Sequence, residues 1–324
     1  MDEDGTETRT YPYGSLFSHV IGYNDSQFGK TGLESAQNFD LLTSNAFFME
    51  KIQNEFKGEK DQGDTVVTTL DAELQQAAYD ALGENKGAVI VMEGDTGKIL
   101  TLVSKPDFDP NTLAENWEIL NTDEENSPLL NRATNGSYAP GSVFKIVTAL
   151  AYMRQDTDYN SYSYDCQGSI TEDNVTIRCF NGTVHGYEDL RSSFANSCNA
   201  SFANIGLSLD VDGYRETAES LLFNKKLPSV MDYTKSSFVL DAKSGSAEIM
   251  MTAMGQGETQ VSPYHMALIT SAIANGGKLM KPYLVDKVTN ASGAVMKETD
   301  QEEYKQLMTE EEASQIKEYM KSVV

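Results

Sequence analysis

The sequence has no long hydrophobic run and little positive charge. None of its apolar stretches approaches the roughly 18 to 20 residues that cross a bilayer, and residues 1–4 do not resemble a signal peptide. We expect either a cytosolic protein or a chain whose targeting segment lies outside this sequence. The formal net charge is −24, from 25 basic and 49 acidic residues. This charge argues against nucleic acid and against an anionic membrane surface as partners.

Cysteine is also scarce, with three in the chain. Cys166 and Cys179 flank a turn-rich segment and could form a disulfide in an oxidising compartment. Together with His185 they could instead suggest a zinc site, but the spacing shows no fourth ligand. Free thiols are the third alternative, and the sequence leaves all three open. Cys198 has no histidine beside it in the sequence, so we interpret it as a buried small apolar residue and not as a nucleophile.

The chain divides into an irregular N-terminal part and a regular remainder. Residues 1–64 are polar and irregular with aromatic and glycine punctuation, which predicts a pedestal or linker module with little core of its own. The charged turn at 57–64 marks the predicted boundary. A single larger domain is expected over 65–324.

Beyond that boundary, hydrophobic periodicity and capping residues predict alternating strands and helices. A strand at 65–70 precedes a helix at 72–82, with Asp71 as N-cap and Leu74 on the buried side. The later predicted elements are a hairpin at 87–103, a long connection at 105–137, a β-rich segment at 160–186, helices at 189–205, 212–224, 246–254 and 262–275, a hairpin-like pair at 279–297, and a helix at 310–321 that begins with a Thr309–Glu312 capping box. This order favours an α+β fold with helices packed on a mixed sheet.

Residues 138–150 contain a lysine in an unusually apolar setting. Pro140 and Gly141 interrupt the chain, so Ser142 should begin a helix and Lys145 should lie one turn later on the same face. Burying an ammonium is costly unless it is paired or neutral, so the pKa of Lys145 should fall. A serine within reach of a free amine is a nucleophile with its base, and helix-start N–H groups can stabilise an oxyanion. The simpler alternative is a capped helix whose lysine reaches solvent.

A second group of polar residues occurs at 194–202. Ser197 and Asn199 should project to one side, with Cys198 between them pointing into the fold. The hydroxyl of Ser197 could relay a proton to a leaving group, and Asn199 could bind a peptide carbonyl and Lys145. The alternative is that both residues cap a helix at a loop exit.

These two motifs in this order resemble the penicilloyl-serine transferase group. Further segments are similar to class B penicillin-binding proteins, the monofunctional D,D-transpeptidases. In chain order they are Arg9–Pro12, Gly29–Glu34, Thr69–Gln75, Gly87–Val89, Thr96–Ile99, Ser104–Asn111, Leu130–Ala133, Gly255–Gly257, Ser262–Ala267 and Ala274–Gly277. The matches follow the family order over nearly the whole chain.

The resemblance implies a serine β-lactamase/transpeptidase-like fold with an all-helical subdomain. It implies that Ser142 attacks the D-Ala-D-Ala carbonyl of a peptidoglycan stem peptide, assisted by Lys145, Ser197 and Asn199, and that β-lactam antibiotics acylate the same serine. No metal or organic cofactor is implied. It also implies work beside a glycosyltransferase in a cell-wall synthesis complex, on the extracytoplasmic face of a bacterial membrane, with the anchor outside this chain.

One family motif, Lys-Thr/Ser-Gly after the last predicted helix, is not found before Val324. Lys30–Gly32 has the letters but lies in the N-terminal module, and Lys243–Gly245 precedes the Gly255–Gly257 motif instead of following it. We therefore expect a C-terminally incomplete domain that acylates poorly, while the longer protein is active. A serine β-lactamase and a non-catalytic β-lactam sensor of the same fold are the alternative functions.

Overall fold

A computed structural model describes residues 9–45 and 62–323 of the chain. Most of the charged segment at 57–64 lies outside these residues, so the predicted boundary at 64/65 stays a prediction. By contacts, the described residues fall into two compact units. The first comprises 9–45, 62–136, Pro228–Tyr233 and Met280–Glu302, and the second comprises Ser137–Leu227, Thr234–Leu279 and 303–323.

Helices and strands both contribute, as an α+β fold requires. The α-helices are α1 (Ser18–Ile21), α2 (Gly32–Ala36), α3 (Asn38–Leu42), α4 (Ala72–Leu82), α5 (Leu113–Thr122), α6 (Lys145–Gln155), α7 (Leu190–Ala195), α8 (Asn199–Ser208), α9 (Val211–Ser220), α10 (Ser246–Ala253), α11 (Pro263–Ala274) and α12 (Glu310–Lys321). Short 3₁₀ helices occupy Gly14–Phe17, Pro110–Thr112, Gly141–Phe144, Tyr159–Ser161 and Phe180–Gly182.

The strands form small antiparallel sheets. They are β1 (Asn24–Asp25), β2 (Gly29–Lys30), β3 (Thr65–Thr68), β4 (Gly87–Met92), β5 (Ile99–Lys105), β6 (Tyr164–Cys166), β7 (Ser169–Glu172), β8 (Val175–Arg178), β9 (Gly186–Glu188), β10 (Lys278–Met280), β11 (Val285–Thr289), β12 (Val295–Glu298) and β13 (Glu303–Gln306). The pairings are β1 with β2, β4 with β5, β6 with β9, β7 with β8, β10 with β13, and a three-stranded sheet in the order β12-β11-β3. A parallel bridge between Lys98 and Tyr283 also connects the start of β5 to the segment before β11.

Local capping signals placed several helices correctly. The Asp71 side chain accepts hydrogen bonds from the N–H groups of Glu73 and Leu74, and α4 has the predicted bounds. Ser262 caps α11 in the same way, with Pro263 in the first turn. The capping box of Thr309 and Glu312 is present at the start of α12. Each signal acts within one turn, so the sequence is sufficient to predict it.

The predicted buried face of α4 is wrong. Leu74 is exposed, whereas the neighbouring Gln75 is fully buried. The Gln75 amide nitrogen donates to the carbonyl oxygens of Leu16 (2.8 Å) and Leu102 (3.0 Å), and its oxygen accepts from the N–H of Leu102 (3.0 Å). The helix therefore uses a polar anchor against β5, because a buried amide is acceptable when its hydrogen bonds are satisfied.

The predicted long connection at 105–137 is partly wrong, since it contains α5. Around this helix, Leu113 and Phe108 are buried in a cluster with Tyr11 and Tyr23 from the N-terminal residues. Trp117 stacks on Phe28 with ring centroids 4.1 Å apart. Aromatic side chains of residues 11–28 thus pack against this segment within the first unit.

The second unit has a helical core around α6. Every residue of α6 from Lys145 to Tyr152 is buried, and α6 contacts α8, α9 and α12. Phe144, just before α6, is fully buried and lies edge-on to Phe223 at 5.5 Å between ring centroids. Burial along this whole stretch shows that the first two turns of α6 are enclosed by the core.

Across the described parts of the chain, no helix combines the length and the apolar character that spanning a bilayer would need.

Candidate active site

Ser142 lies in a 3₁₀ turn directly before α6. The turn covers Gly141–Phe144 and runs without a break into Lys145. In a 3₁₀ turn, side chains three residues apart lie directly above one another. The Nζ of Lys145 is accordingly 3.3 Å from the Oγ of Ser142. The structure thus brings together the two residues of the first predicted motif.

The turn that holds Ser142 depends on close contact between the backbones of Gly141 and Gly255, which the sequence analysis did not predict. The N–H of Gly141 donates to the carbonyl of Gly255 at 2.7 Å. A Cβ on Gly255 would lie 1.7 Å from the carbonyl oxygen of Gly141, and Gly255 has a φ of +84°. Both observations require glycine at this position. The Gly255–Gly257 match was the signal in the sequence, but it carried no structural role there.

Lys145 is almost fully buried, with 2 % of the residue's surface exposed. Its Nζ lies 2.7 Å from the carbonyl oxygen of Ser197, 2.9 Å from the Ser197 Oγ and 2.8 Å from the Asn199 Oδ1. Burial lowers the pKa of Lys145 from 10.5 to about 8, although the Cys198 and Cys179 side chains act in the opposite direction. The amine therefore loses its proton much more readily than an exposed lysine does.

The hydrogen bonds around Lys145 suit a free amine as well as an ammonium. The Ser197 carbonyl and the Asn199 amide oxygen can only accept, so each takes one N–H of Lys145. The remaining position on nitrogen faces the hydroxyls of Ser142 and Ser197, which can either donate or accept. In the free amine this position is the lone pair, directed at the two hydroxyls. The same geometry can therefore take up a serine proton without rearrangement.

Ser197 lies in the turn between α7 and α8, and Asn199 is the first residue of α8. The Oγ of Ser197 is 2.9 Å from the Oγ of Ser142, so Ser142, Lys145 and Ser197 form a triangle of reactive groups. Ser197 has a φ of +49°, a strained conformation for a residue with a side chain, and such strain is often found at functional sites. Cys198, between the two, is fully buried. The predicted alternation of side chains in this turn is therefore present.

Asn199 connects this turn to the β-rich segment. While its Oδ1 accepts from Lys145, its Nδ2 donates to the carbonyl of Arg178 at 3.1 Å. The amide is thus held at both ends, which determines which atom faces the lysine. It also links the second motif to the end of β8.

In the part of the chain that the structure describes, the two Lys-Thr/Ser-Gly sequences, at 30–32 and 243–245, make no hydrogen bond to Ser142 through their lysines. Lys30 belongs to the first unit, where its Nζ donates to the Asn38 side chain. Lys243 is exposed, and its N–H donates to Asp241. Among the hydrogen bonds of residues 9–45 and 62–323, neither lysine side chain is bonded to Ser142.

Comparison with known proteins identifies the family. Residues 87–324 match the model of the penicillin binding protein transpeptidase domain, and residues 1–66 match the penicillin binding protein A dimerisation domain. The peptidoglycan D,D-transpeptidase PbpA of Mycolicibacterium smegmatis is 31% identical over 96% of this chain and 67% of its own length. The protein of the same name from Mycobacterium tuberculosis is 33% identical over 86% of this chain. This chain spans 60% of that relative's length.

Solved structures agree with this assignment. The D,D-transpeptidase domain of a peptidoglycan glycosyltransferase from Eggerthella lenta has a TM-score of 0.89 and is 32% identical, covering all of this chain and 77% of its own. The penicillin G acyl-enzyme complex of penicillin-binding protein A from M. tuberculosis also has a TM-score of 0.89, is 28% identical and covers 100% of this chain and 78% of its own. The chain has the fold of these transpeptidase structures and belongs to the penicillin-binding protein transpeptidase family.

Proposed function

We propose that this chain carries the acyl-transfer site of a peptidoglycan D,D-transpeptidase, with Ser142 as nucleophile, Lys145 as its base, Ser197 as proton relay and Asn199 as the residue that orients Lys145. The single observation that carries the proposal is the triangle of Ser142 Oγ, Lys145 Nζ and Ser197 Oγ, with separations of 3.3, 2.9 and 2.9 Å. The names of the relatives and the acyl-enzyme structure of one of them support the same chemistry.

The first half-reaction forms an ester on Ser142. Its Oγ attacks the carbonyl carbon of the D-Ala-D-Ala peptide bond while its proton moves to the Lys145 nitrogen. The C–N bond then breaks, and the departing D-Ala nitrogen receives a proton from Lys145 through the Ser197 hydroxyl. Ser197 fits this relay because its Oγ is 2.9 Å from both other groups.

The second half-reaction reverses these proton movements. The amine of a neighbouring stem peptide attacks the ester carbonyl, loses a proton to the Lys145–Ser197 pair, and releases the Ser142 oxygen, which takes the proton back. The product is a cross-link between stem peptides. A β-lactam enters the first half-reaction through its strained amide, and its opened ring remains attached to Ser142.

The proposal extends to organisation and cellular setting. The substrates are peptidoglycan stem peptides, β-lactams are inhibitors, and a glycosyltransferase of a cell-wall synthesis complex is the expected partner. The protein works on the extracytoplasmic face of the membrane. Residues 1–64 are part of the pedestal or linker module and 65–324 belong to the transpeptidase domain, a division that the two family matches support.

Labelling with a fluorescent penicillin tests the nucleophile. The purified protein, prepared both as the 324-residue chain and with the sequence that flanks it in its gene, is incubated with the reagent and digested. Mass spectrometry should find the adduct on the Ser142 peptide. Ser142→Ala should remove the label, whereas Ser137→Ala, which changes an exposed serine of the same loop, should keep it. A label that persists in Ser142→Ala, or that maps to another residue, overturns the assignment.

Assays on the same purified protein distinguish a transpeptidase from a β-lactamase and from a non-catalytic sensor. A transpeptidase should hold the acyl group for long periods and should release D-Ala from a stem-peptide substrate. Rapid, repeated hydrolysis of nitrocefin would instead show a β-lactamase. Labelling of Ser142 with no D-Ala release from the protein with its flanking sequence would show a sensor.

A further inference from the structure

All three cysteines of the chain meet at one point together with His185. The Sγ atoms of Cys166, Cys179 and Cys198 and a ring nitrogen of His185 all lie within 4.8 Å of one another. The expectation that no fourth ligand accompanies Cys166, Cys179 and His185 is therefore wrong. Cys198 offers a fourth ligand atom, because the fold brings the turn between α7 and α8 against the β-rich segment.

The distances in this cluster fit a bound ion better than they fit a disulfide. The Sγ of Cys179 is 3.6 Å from that of Cys166 and 3.7 Å from that of Cys198. A disulfide needs about 2.05 Å between two sulfurs. The Sγ of Cys166 is 3.5 Å from the His185 Nδ1. A tetrahedral zinc ion, with Zn–S of about 2.3 Å and Zn–N of about 2.0 Å, holds its sulfurs about 3.8 Å apart and sulfur and nitrogen about 3.5 Å apart.

The surroundings have further properties of a structural metal site. The three cysteines are at most 3% exposed, so the sulfurs are shielded from water, while His185 is half-buried at the edge of the cluster. Backbone N–H groups point at two of the sulfurs, from Gly168 to Cys166 and from Ser201 to Cys198, each at 3.4 Å. Such N–H groups stabilise thiolates and keep them in place around a metal.

We propose that Cys166, Cys179, His185 and Cys198 bind one Zn²⁺ ion. Three soft sulfur ligands and one imidazole, in a closed tetrahedral arrangement, are the donor set of structural zinc and a poor set for magnesium or calcium. Binding replaces the three thiol protons, which leave to solvent, by the ion. Because four protein ligands complete the shell, the ion has no open position for substrate and acts only on structure.

Two of the proposed zinc ligands are direct chain neighbours of residues at the active site. Cys198 lies between Ser197 and Asn199, and Cys179 follows Arg178, whose carbonyl accepts from Asn199. The ion would therefore connect the turn that contains Ser197 to the end of β8. One of its ligands, Cys198, directly precedes Asn199, and another, Cys179, directly follows the residue that Asn199 binds. Zinc should position Ser197 and Asn199 around Lys145, so these four ligands are positioning residues. This effect on acylation rests on the proposed function, whereas zinc binding does not.

Elemental analysis of the protein, purified without a histidine tag from zinc-containing medium, tests the site. We expect about one zinc per chain, as a single tetrahedral site requires. Cys179→Ser and His185→Ala should lose it, and Val184→Ala, an exposed neighbour of His185, should keep it. Cobalt added to the wild-type apoprotein should give the strong visible bands of a tetrahedral site and thiolate charge-transfer bands. The cobalt spectrum also decides the question if the variants do not fold.

Three results would overturn the zinc site: a Cys166–Cys179 disulfide in the protein as purified, another metal in place of zinc, or three thiols that react equally fast with and without zinc. Acylation of Ser142 in apoprotein and zinc-loaded protein tests the positioning role, with an expected slowing of about 10- to 100-fold in the apoprotein. Equal rates would overturn that role and leave the site. Zinc binding without any acylation would contradict the proposed function alone.

Discussion

Lys145 shows how a single residue combines a cost in stability with a gain in reactivity. Its burial disfavours the charged form. At neutral pH Lys145 is still mainly an ammonium, so folding carries the cost of burying that charge. Two acceptors, the Ser197 carbonyl and the Asn199 amide, prevent the nitrogen from being left without partners. The residue is therefore tolerated in the core and is at the same time prepared to act as a base.

The pH dependence of acylation follows from this lowered pKa. Since the free amine is the reactive form, the acylation rate should rise with pH and level off above about 8, the pKa of Lys145. Stopped-flow acylation by a fluorescent penicillin from pH 6 to pH 10, at about constant ionic strength, measures it. A rate that is still rising between pH 9 and pH 10, as expected for an ordinary lysine with a pKa of about 10.4, would contradict the shift.

Removal of the amine gives a second prediction at this scale. Lys145→Ala should slow acylation by about 10²- to 10⁴-fold, because the general base is lost. Lys243→Ala is the matched control. Lys243 is exposed and belongs to the Lys-Ser-Gly sequence that was rejected as a third motif, so its loss should leave the rate unchanged. A large effect of Lys243→Ala would show that this rejection was mistaken.

At the scale of elements, α4 and β5 are joined by one polar side chain. The Gln75 side chain satisfies both the N–H and the C=O of Leu102 and also binds the Leu16 carbonyl. We expect Gln75→Leu to destabilise the protein by about 2–4 kcal/mol, because buried backbone groups lose their partners. Urea unfolding measures the change. Gln76→Leu, on the exposed side of the same helix, should change the free energy of unfolding by less than about 0.5 kcal/mol. Equal effects of the two would contradict the anchor role.

The turn before α6 has an equally specific requirement. Gly255→Ala places a methyl group 1.7 Å from the Gly141 carbonyl oxygen at a φ of +84°, so the two segments must move apart. The expected loss of stability is about 2–4 kcal/mol, and Ser142 should be acylated more slowly because its turn is displaced. Gly245→Ala is a suitable control, since a Cβ there meets open space at a negative φ of −80°. A stable, fully reactive Gly255→Ala protein would refute this account.

At the scale of the whole molecule, the net charge of −24 should dominate the response to salt. Like charges repel more in the compact state than in the unfolded chain, and salt screens that repulsion. The melting temperature should therefore rise between about 10 mM and about 150 mM NaCl, where the Debye length falls from about 30 to about 8 Å. Differential scanning fluorimetry measures it. A fall would show that attractive ion pairs, such as Arg154–Glu312, outweigh the net repulsion.

How much of the structure was predictable depended on the range of the interactions. The first residues of α4 and α12 were predicted because Asp71 and Thr309 cap these helices within one turn. The sequence predicted an irregular connection at 105–137 and missed the helix α5 within it. The start of α5 packs against Tyr11 and Tyr23, which are far away in the chain. The buried side of α4 was wrong for a related reason: Gln75 is buried by its fit to β5, which its own polarity does not indicate.

The sequence by itself determined the Ser142–Lys145 pair, because a spacing of three in a helical turn brings two side chains together without help from the rest of the chain. It also determined the alternation of Ser197, Cys198 and Asn199. The sequence also indicated that Asn199 binds Lys145, and the tertiary structure brings the two motifs together. Only the tertiary structure decided that Gly255 supports the turn of Ser142 and that His185 and three cysteines converge. The physical reason is that each of these contacts joins segments that are distant in the chain. The packing of the core brings such segments together, and no local sequence pattern records it.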